Sequence, residues 1–306
     1  DVYKRQGQYD ANGTFDASSG TIDFSNGNAQ LLVSTPSVTS FGALDDATGT
    51  VVLDGLNAQT INESETFYSL KIDNASGVIF NAAVGVNGIL NMKAGNIANA
   101  NNILTVGSST GVGSIDHTSG IVTGRLRQYF PNSSGSKFFP VGNSSILRDI
   151  TVDFTSSPGT NQYLTASYNT GNPQDGNGSD LYNGLPLTTG DGRIIDNYDD
   201  EGHWELIPGS ASLGDSYSDD INGKAYNLSV LCNNFTGDDG VSQIARTTVR
   251  VIKSAGPGHT SWEALIHSFV TGTDADFIVT AAGLGFSYFG AGKGFEFTPL
   301  PCLLYT

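Results

Sequence analysis

Between Phe67 and Val106 the chain reads FYSLKIDNASGVIFNAAVGVNGILNMKAGNIANANNILTV, and it repeats itself. A shift of 20 residues lays Leu70 on Leu90, Ile72 on Met92, Val84 on Leu104 and Val86 on Val106. Within each unit the apolar residues alternate (Leu70/Ile72, Val78/Phe80, Val84/Val86), and Asn- and Gly-rich turns separate the runs. Period-2 alternation specifies strands. A repeat of one rung's length specifies a β-solenoid, in which each coil buries its apolar face against the next. A single coil cannot hold itself together, so stability belongs to the stack. Each inward Leu, Ile, Val or Phe contributes about 1.5–3 kcal/mol on full burial.

Residues 7–60 read as earlier, less regular coils, with Phe15, Ile22, Phe24, Leu31, Val33, Val51 and Leu53 on alternating positions. Gly13, Gly20 and Gly27 stand where turns need positive φ. The segment TPSVTSFGALDDATG, with Pro36 and Asp45–Asp46, reads as an excursion between rungs. The turn asparagines Asn74, Asn81, Asn87 and Asn102 are expected to tolerate left-handed backbone and to cap neighbouring rungs.

From about Ser119 the pattern changes. A segment holding Arg125, Arg127 and Arg148 precedes strand-like runs at 150–154, 163–168, 203–208, 225–230, 247–253 and 276–282. Turn signals separate them, as in an antiparallel sandwich. SWEALIHSF (261–269) reads as strand, because Trp262, Ala264 and Ile266 alternate, and 170–192 reads as a long exposed polar loop. The expected fold is therefore all-β: a β-solenoid of parallel coils over 7–120, followed by an antiparallel β-sandwich over 121–301.

The two ends, 1–6 (DVYKRQ) and 302–306 (CLLYT), look like translated sequencing-adapter scars and are set aside from the fold. They are expected to make almost no packing contacts. Without Cys302 only Cys232 remains, so neither a disulfide framework nor a thiolate metal site is expected. The formal charge of −16 argues against nucleic acid and anionic membrane as partners. No apolar run approaches the roughly 20 residues of a membrane span. Charged residues are only 14%, while glycines number 39, a composition that suits a β-rich extracellular protein.

Motifs with chemistry are few. Gly107–Gly111 (GSSTG) fits the G-x-S-x-G pattern with His117 nearby, but the residues that follow lack the helical period a nucleophile elbow needs. GAGKG (290–294) lacks both the leading glycine and the closing Ser or Thr of a phosphate loop. His117, His203, His259 and His267 show no zinc spacing, and His203, alternating with Trp204, is expected to face solvent. Asp175, Asn177, Ser179 and Asp180 place oxygens like the opening of a calcium loop, although Asp180 replaces its glycine and Pro186 its closing glutamate. Calcium is the one cofactor this suggests; otherwise none is expected. Trp204 and Trp262 are either stacking platforms for a sugar or core residues of the sandwich, with Leu206 sharing Trp204's strand face. The only lysines of the coils, Lys71 and Lys93, are too few for a polysaccharide-lyase site.

Taken together, the coil run 67–97, the GRLRQYFP…FPVG stretch after it, HWELIPGS (203–210), LGFSYFGAGKG (284–294) and TPLP (298–301) resemble one family. These are the adhesin-like secreted surface proteins of gliding, type IX-secreting bacteria, and the resemblance covers roughly 50–300. In that family such coils lead into a tryptophan-bearing β domain just before a C-terminal sorting domain. The resemblance implies a secreted, cell-surface, non-catalytic protein with an adhesive or matrix role and a surface or matrix ligand such as a polysaccharide. It brings no catalytic residues with it. The rival expectation is a carbohydrate-binding or carbohydrate-active protein, in which paired carboxylates and aromatic rings would line one groove.

Overall fold

The computed structural model describes residues 14–16, 21–23, 30–41, 43–45, 49–172, 181, 183–198, 201–233, 235, 245–254 and 261–295. Both end segments lie outside these residues, as do Gly13, Gly20, Gly27 and Phe24. Apart from two short 3-10 turns, Asp220–Gly223 and Arg246–Thr248, every regular element described is a strand.

The first half is a parallel β-solenoid of about five turns. One face stacks Gln30–Val33, Thr50–Leu53, Ser69–Asp73, Ile89–Ala94 and Ser114–His117 in parallel. The opposing face stacks Ser37–Ser40, Gln59–Ile61, Val78–Phe80, Ile97–Val106 and Val122–Tyr129. The register follows the repeat: Leu70 pairs with Leu90, Ile72 with Met92, Val84 with Leu104 and Val86 with Val106. All eight side chains are buried, because in-register stacking places like on like and leaves columns of apolar groups between the faces.

The segment read as an excursion is instead part of the stack. Ser37–Ser40 pairs with the next coil, Val38 and Phe41 are fully buried, and Ala43–Asp45 pairs with Thr21–Asp23. The alternation of Val38 with polar neighbours was a strand signal that Pro36 obscured. Capping by the turn asparagines holds at three positions: Asn74 donates to Asn57 O, Asn81 to Asn62 Oδ1, and Asn102 to Phe80 O. Left-handed backbone at these asparagines does not, since among the described residues Asn161 is the one non-glycine with positive φ. Glycines carry that conformation instead. Gly77, Gly95 and Gly120 repeat at one corner with φ of 86°, 87° and 96°. A Cβ on Gly95 would lie 1.8 Å from Asn74 O, and one on Gly120 would lie 2.2 Å from Gly95 O.

A hairpin covers the end of the stack. Gly135–Phe139 pairs with Ile150–Phe154, Val141 bridges Val122, and Lys137 Nζ donates to Gly113 O at 2.6 Å. Burial pushes the Lys137 amine down to about 8. Here two of the apolar columns terminate in polar groups. Gln128, in line with Val106, donates to Phe138 O (2.6 Å), and His117, in line with Met92, lies against the Phe138 ring (5.2 Å).

The second half is antiparallel. One sheet runs Gly135–Phe139, Ile150–Phe154, Ala225–Asn233, Asp276–Leu284 and Ile266–Thr273. The other continues the solenoid itself, because Val122–Tyr129 pairs in parallel with Ile97–Val106 and antiparallel with Gln162–Thr170. Beyond it come Gly202–Ser210, Tyr288–Phe295 and Ile194–Tyr198. Val152, Leu228 and Val279 from the first sheet share one core with Leu164, Trp204 and Phe289 from the second. SWEALIHSF forms strands Trp262–Ala264 and Ile266–Thr273. Most described residues of the 170–192 segment are exposed, as its polarity implies, but Leu181 and Thr189 are buried and Leu187–Thr188 pairs with Ile195 and Ile194.

Candidate functional site

Three adjacent antiparallel strands, Val122–Tyr129, Gln162–Thr170 and Gly202–Ser210, build a face of mixed charge and aromatic rings. Strand alternation sends Leu126, Ala166 and Leu206 into the core. It sends Arg125, Arg127 and Tyr129 to the other side, joined across the register by Thr165 opposite Arg127, Tyr163 opposite Tyr129, and Glu205 opposite Ser167. Tyr288 arrives opposite Glu205 on the next strand. A two-residue strand, Gly214–Asp215, pairs with Gly209 and Ser210 and brings in Asp215. Gly209 is required here: a Cβ would lie 2.5 Å from the Tyr163 ring that crosses it.

Asp215 organises the cluster. It accepts from Arg125 Nη2 (3.0 Å) and Arg127 Nη2 (2.6 Å). Arg127 also donates Nε to Thr165 Oγ1 (3.1 Å), and its guanidinium lies 4.1 Å above the Tyr163 ring. A guanidinium held in this way is a planar, oriented donor set. Burial raises the Tyr163 phenol above its ordinary range. It also raises the Glu205 carboxyl, opposed by the Arg125 charge and by hydrogen bonds with Asn169 and Ser167. Tyr217 and Tyr288 are raised by burial first and by the Glu205 charge second, and Tyr288 stands opposite Glu205 in the register. The face thus holds two cations and two acids, one acid disfavoured as an anion by burial and the other bound to two guanidiniums. Such a set can donate and accept hydrogen bonds in fixed planes, and Glu205 can carry a proton at higher pH than a solvated carboxyl.

The tryptophans are not at this face. Trp204 is 0% exposed and Trp262 is 3% exposed. Trp204 Nε1 donates to Arg148 O (2.7 Å) and Trp262 Nε1 to Leu181 O (2.6 Å). Neither ring has a surface open to a sugar, so the stacking-platform expectation is corrected in favour of the core. The residues Asp175, Asn177, Ser179 and Asp180 lie outside the described residues. Among the described residues no three or more His, Cys, Asp or Glu side chains are grouped to hold a metal ion. His203 does lie on the strand face opposite Trp204, but it is buried rather than solvated, packed against Tyr288 at 4.8 Å and bonded to Gly171 O.

The remaining motifs take structural roles. Ser108 and Gly111 close a turn between strands, with no helix after it, and His117 Nε2 is bonded to Gly120 O. GAGKG lies inside the strand Tyr288–Phe295. Lys71 and Lys93 both bind Asp73, at 3.0 and 2.8 Å, tying adjacent coils together. Arg148, 1% exposed, is a buried node: it pairs with Glu201 (2.7 Å), bonds Asn233 and covers the Phe235 ring at 4.4 Å.

The signal that would have found the face was present in two strands. GRLRQY alternates Arg125, Arg127 and Tyr129 as regularly as any apolar run, and HWELIP sets Glu205 on the face away from Trp204. Comparison with protein-family models, curated proteins and solved structures finds no match to the chain.

Proposed function

We propose that the chain is a non-catalytic part of a secreted, surface-displayed protein, carried out by the type IX route, with an adhesive or matrix role. The solenoid serves as the stalk and the charged, tyrosine-bearing sheet face as the contact with a ligand. The observation that carries this reading is the shared strand. Val122–Tyr129 belongs to the last coil on one edge and to the sandwich on the other, so load on the sandwich passes into the stack through backbone hydrogen bonds rather than through a linker. The coils spend their outward polar groups on one another, as in Lys71–Asp73–Lys93 and Asn91–Asp116 (2.8 Å), which suits a spacer. No helix among the described residues is long and apolar enough to cross a membrane. Beads coated with the chain should adhere to bacterial or host extracellular matrix better than albumin-coated beads. Equal adhesion would reject the role.

A second reading, a carbohydrate-active enzyme, has one observation in its favour: Glu205 and Asp215 are electrostatic neighbours beside tyrosines. Hydrolysis of any member of a polysaccharide panel by the purified chain would establish it over the adhesive role.

A further inference from the structure

The geometry points to an uncharged oligosaccharide as the ligand of the face formed by Arg125, Arg127, Tyr129, Glu205, Asp215 and Tyr288. This rests on the adhesive reading and names its ligand class.

Three features select that chemistry. The first is charge. The cluster holds two guanidiniums and two carboxyl groups and is self-neutralising, with Asp215 accepting from both arginines. An anion or a cation arriving here would break pairs already made, whereas a neutral polyhydroxyl needs only the lone pairs and N–H groups left over.

The second is rigidity. Every polar group stands on a strand or is bonded to one. Arg127 is fixed by Thr165 and Asp215, and Glu205 stands on the central strand Gly202–Ser210, opposite Ser167 and Tyr288. Donors and acceptors fixed in a plane can address adjacent hydroxyls of a sugar ring without losing side-chain freedom on binding.

The third is the apolar component. Tyr129 and Tyr288 are half-buried rings flanking the charges. Tyr129 is braced edge-on by Tyr163 (5.2 Å), and Tyr288 packs against the tilted His203 ring (4.8 Å). Flat rings with polar tips, rather than aliphatic pockets, match the C–H face and hydroxyl rim of a pyranose.

The test is a glycan array probed with the fluorescently labelled chain, followed by calorimetric titration of the best neutral oligosaccharide. Tyr288→Ala and Arg125→Gln should each weaken binding by about tenfold or more. Tyr68→Ala, at an exposed solenoid tyrosine, should leave it unchanged. Melting curves of each variant separate lost binding from lost folding. If Tyr288→Ala does not fold, Tyr288→Phe and Arg125→Gln remain, and the former should retain binding because the ring is kept. Absence of binding to every neutral glycan overturns the inference, and so does binding that survives both Arg125→Gln and Tyr288→Ala. Bead adhesion without any glycan binding would overturn the ligand class while leaving the adhesive role standing. Cleavage of the bound glycan would keep the ligand class and remove the non-catalytic role.

Discussion

At the scale of single residues, Trp204 and His203 stand back to back on one strand and both are buried. The sequence places Trp204 and His203 on opposite faces, as observed, but it does not say that both faces are covered. Burial is a property of what packs on a strand from elsewhere, here Phe235 against Trp204 and Tyr288 against His203. Asp149 shows the same limit with a measurable consequence. Burial, with the Asp276 charge adding repulsion, pushes its carboxyl up to about 6 from an ordinary value of 3.8. Below that ordinary value both folded and unfolded chains hold the proton and the site costs nothing. Through the window from 3.8 to about 6 the unfolded chain releases the proton while the folded chain retains it, so stability falls as pH rises. Asp149→Asn should therefore stabilise the chain at pH 7 by roughly 2–3 kcal/mol and have little effect near pH 3.5. Urea melts of the two proteins at both pH values check this. An equal difference at the two pH values would show that the carboxyl's ionisation is not the cause.

At the scale of the element, the solenoid was legible because its rule is local: alternation, turn and repeat all lie within one coil's length of sequence. What the repeat cannot show is how the corners are joined. Gln59 is 0% exposed and satisfied on every side. Its Nε2 donates to Val33 O (2.6 Å) and Thr35 O (3.0 Å), and its Oε1 accepts from Gly55 N (2.8 Å) and Asn74 Nδ2 (2.9 Å). These partners lie on three coils, so one amide clamps the stack. Gln59→Leu leaves buried donors and acceptors unpaired and should cost about 3 kcal/mol or more, since each such group costs about 1–3 kcal/mol. The corner glycines supply a second test. Gly95→Ala must both adopt positive φ and displace Asn74 O, and should cost about 2–4 kcal/mol. Gly111→Ala, where nothing lies within 4 Å of the new Cβ, should cost well under about 1 kcal/mol. Comparable losses at the two glycines, measured by chemical denaturation, would contradict the stacked-corner account.

At the scale of the whole molecule, the change of pattern near residue 120 marks a change of topology, from parallel coils to antiparallel sheets, but no break in the hydrogen bonding. The sheet passes through Val122–Tyr129, Arg125 and Arg127 of that strand reach Asp215, and the hairpin 135–154 covers the last coil while contributing to the sandwich core. Sequence periodicity could not reveal this, because one eight-residue strand serves both patterns at once. The consequence is thermodynamic. If the last coil and the first sandwich strand are the same residues, unfolding either half exposes the apolar side of the other, and the two should melt as one cooperative unit. The chain provides its own reporters, since its two tryptophans, Trp204 and Trp262, both lie in the antiparallel half. Tryptophan fluorescence therefore follows the sandwich alone, while far-ultraviolet circular dichroism follows strands in both halves. The two signals should give coincident urea transitions with a single midpoint. A circular-dichroism transition lagging or preceding the fluorescence transition would mean that stalk and sandwich unfold independently, and that the shared strand does not couple them.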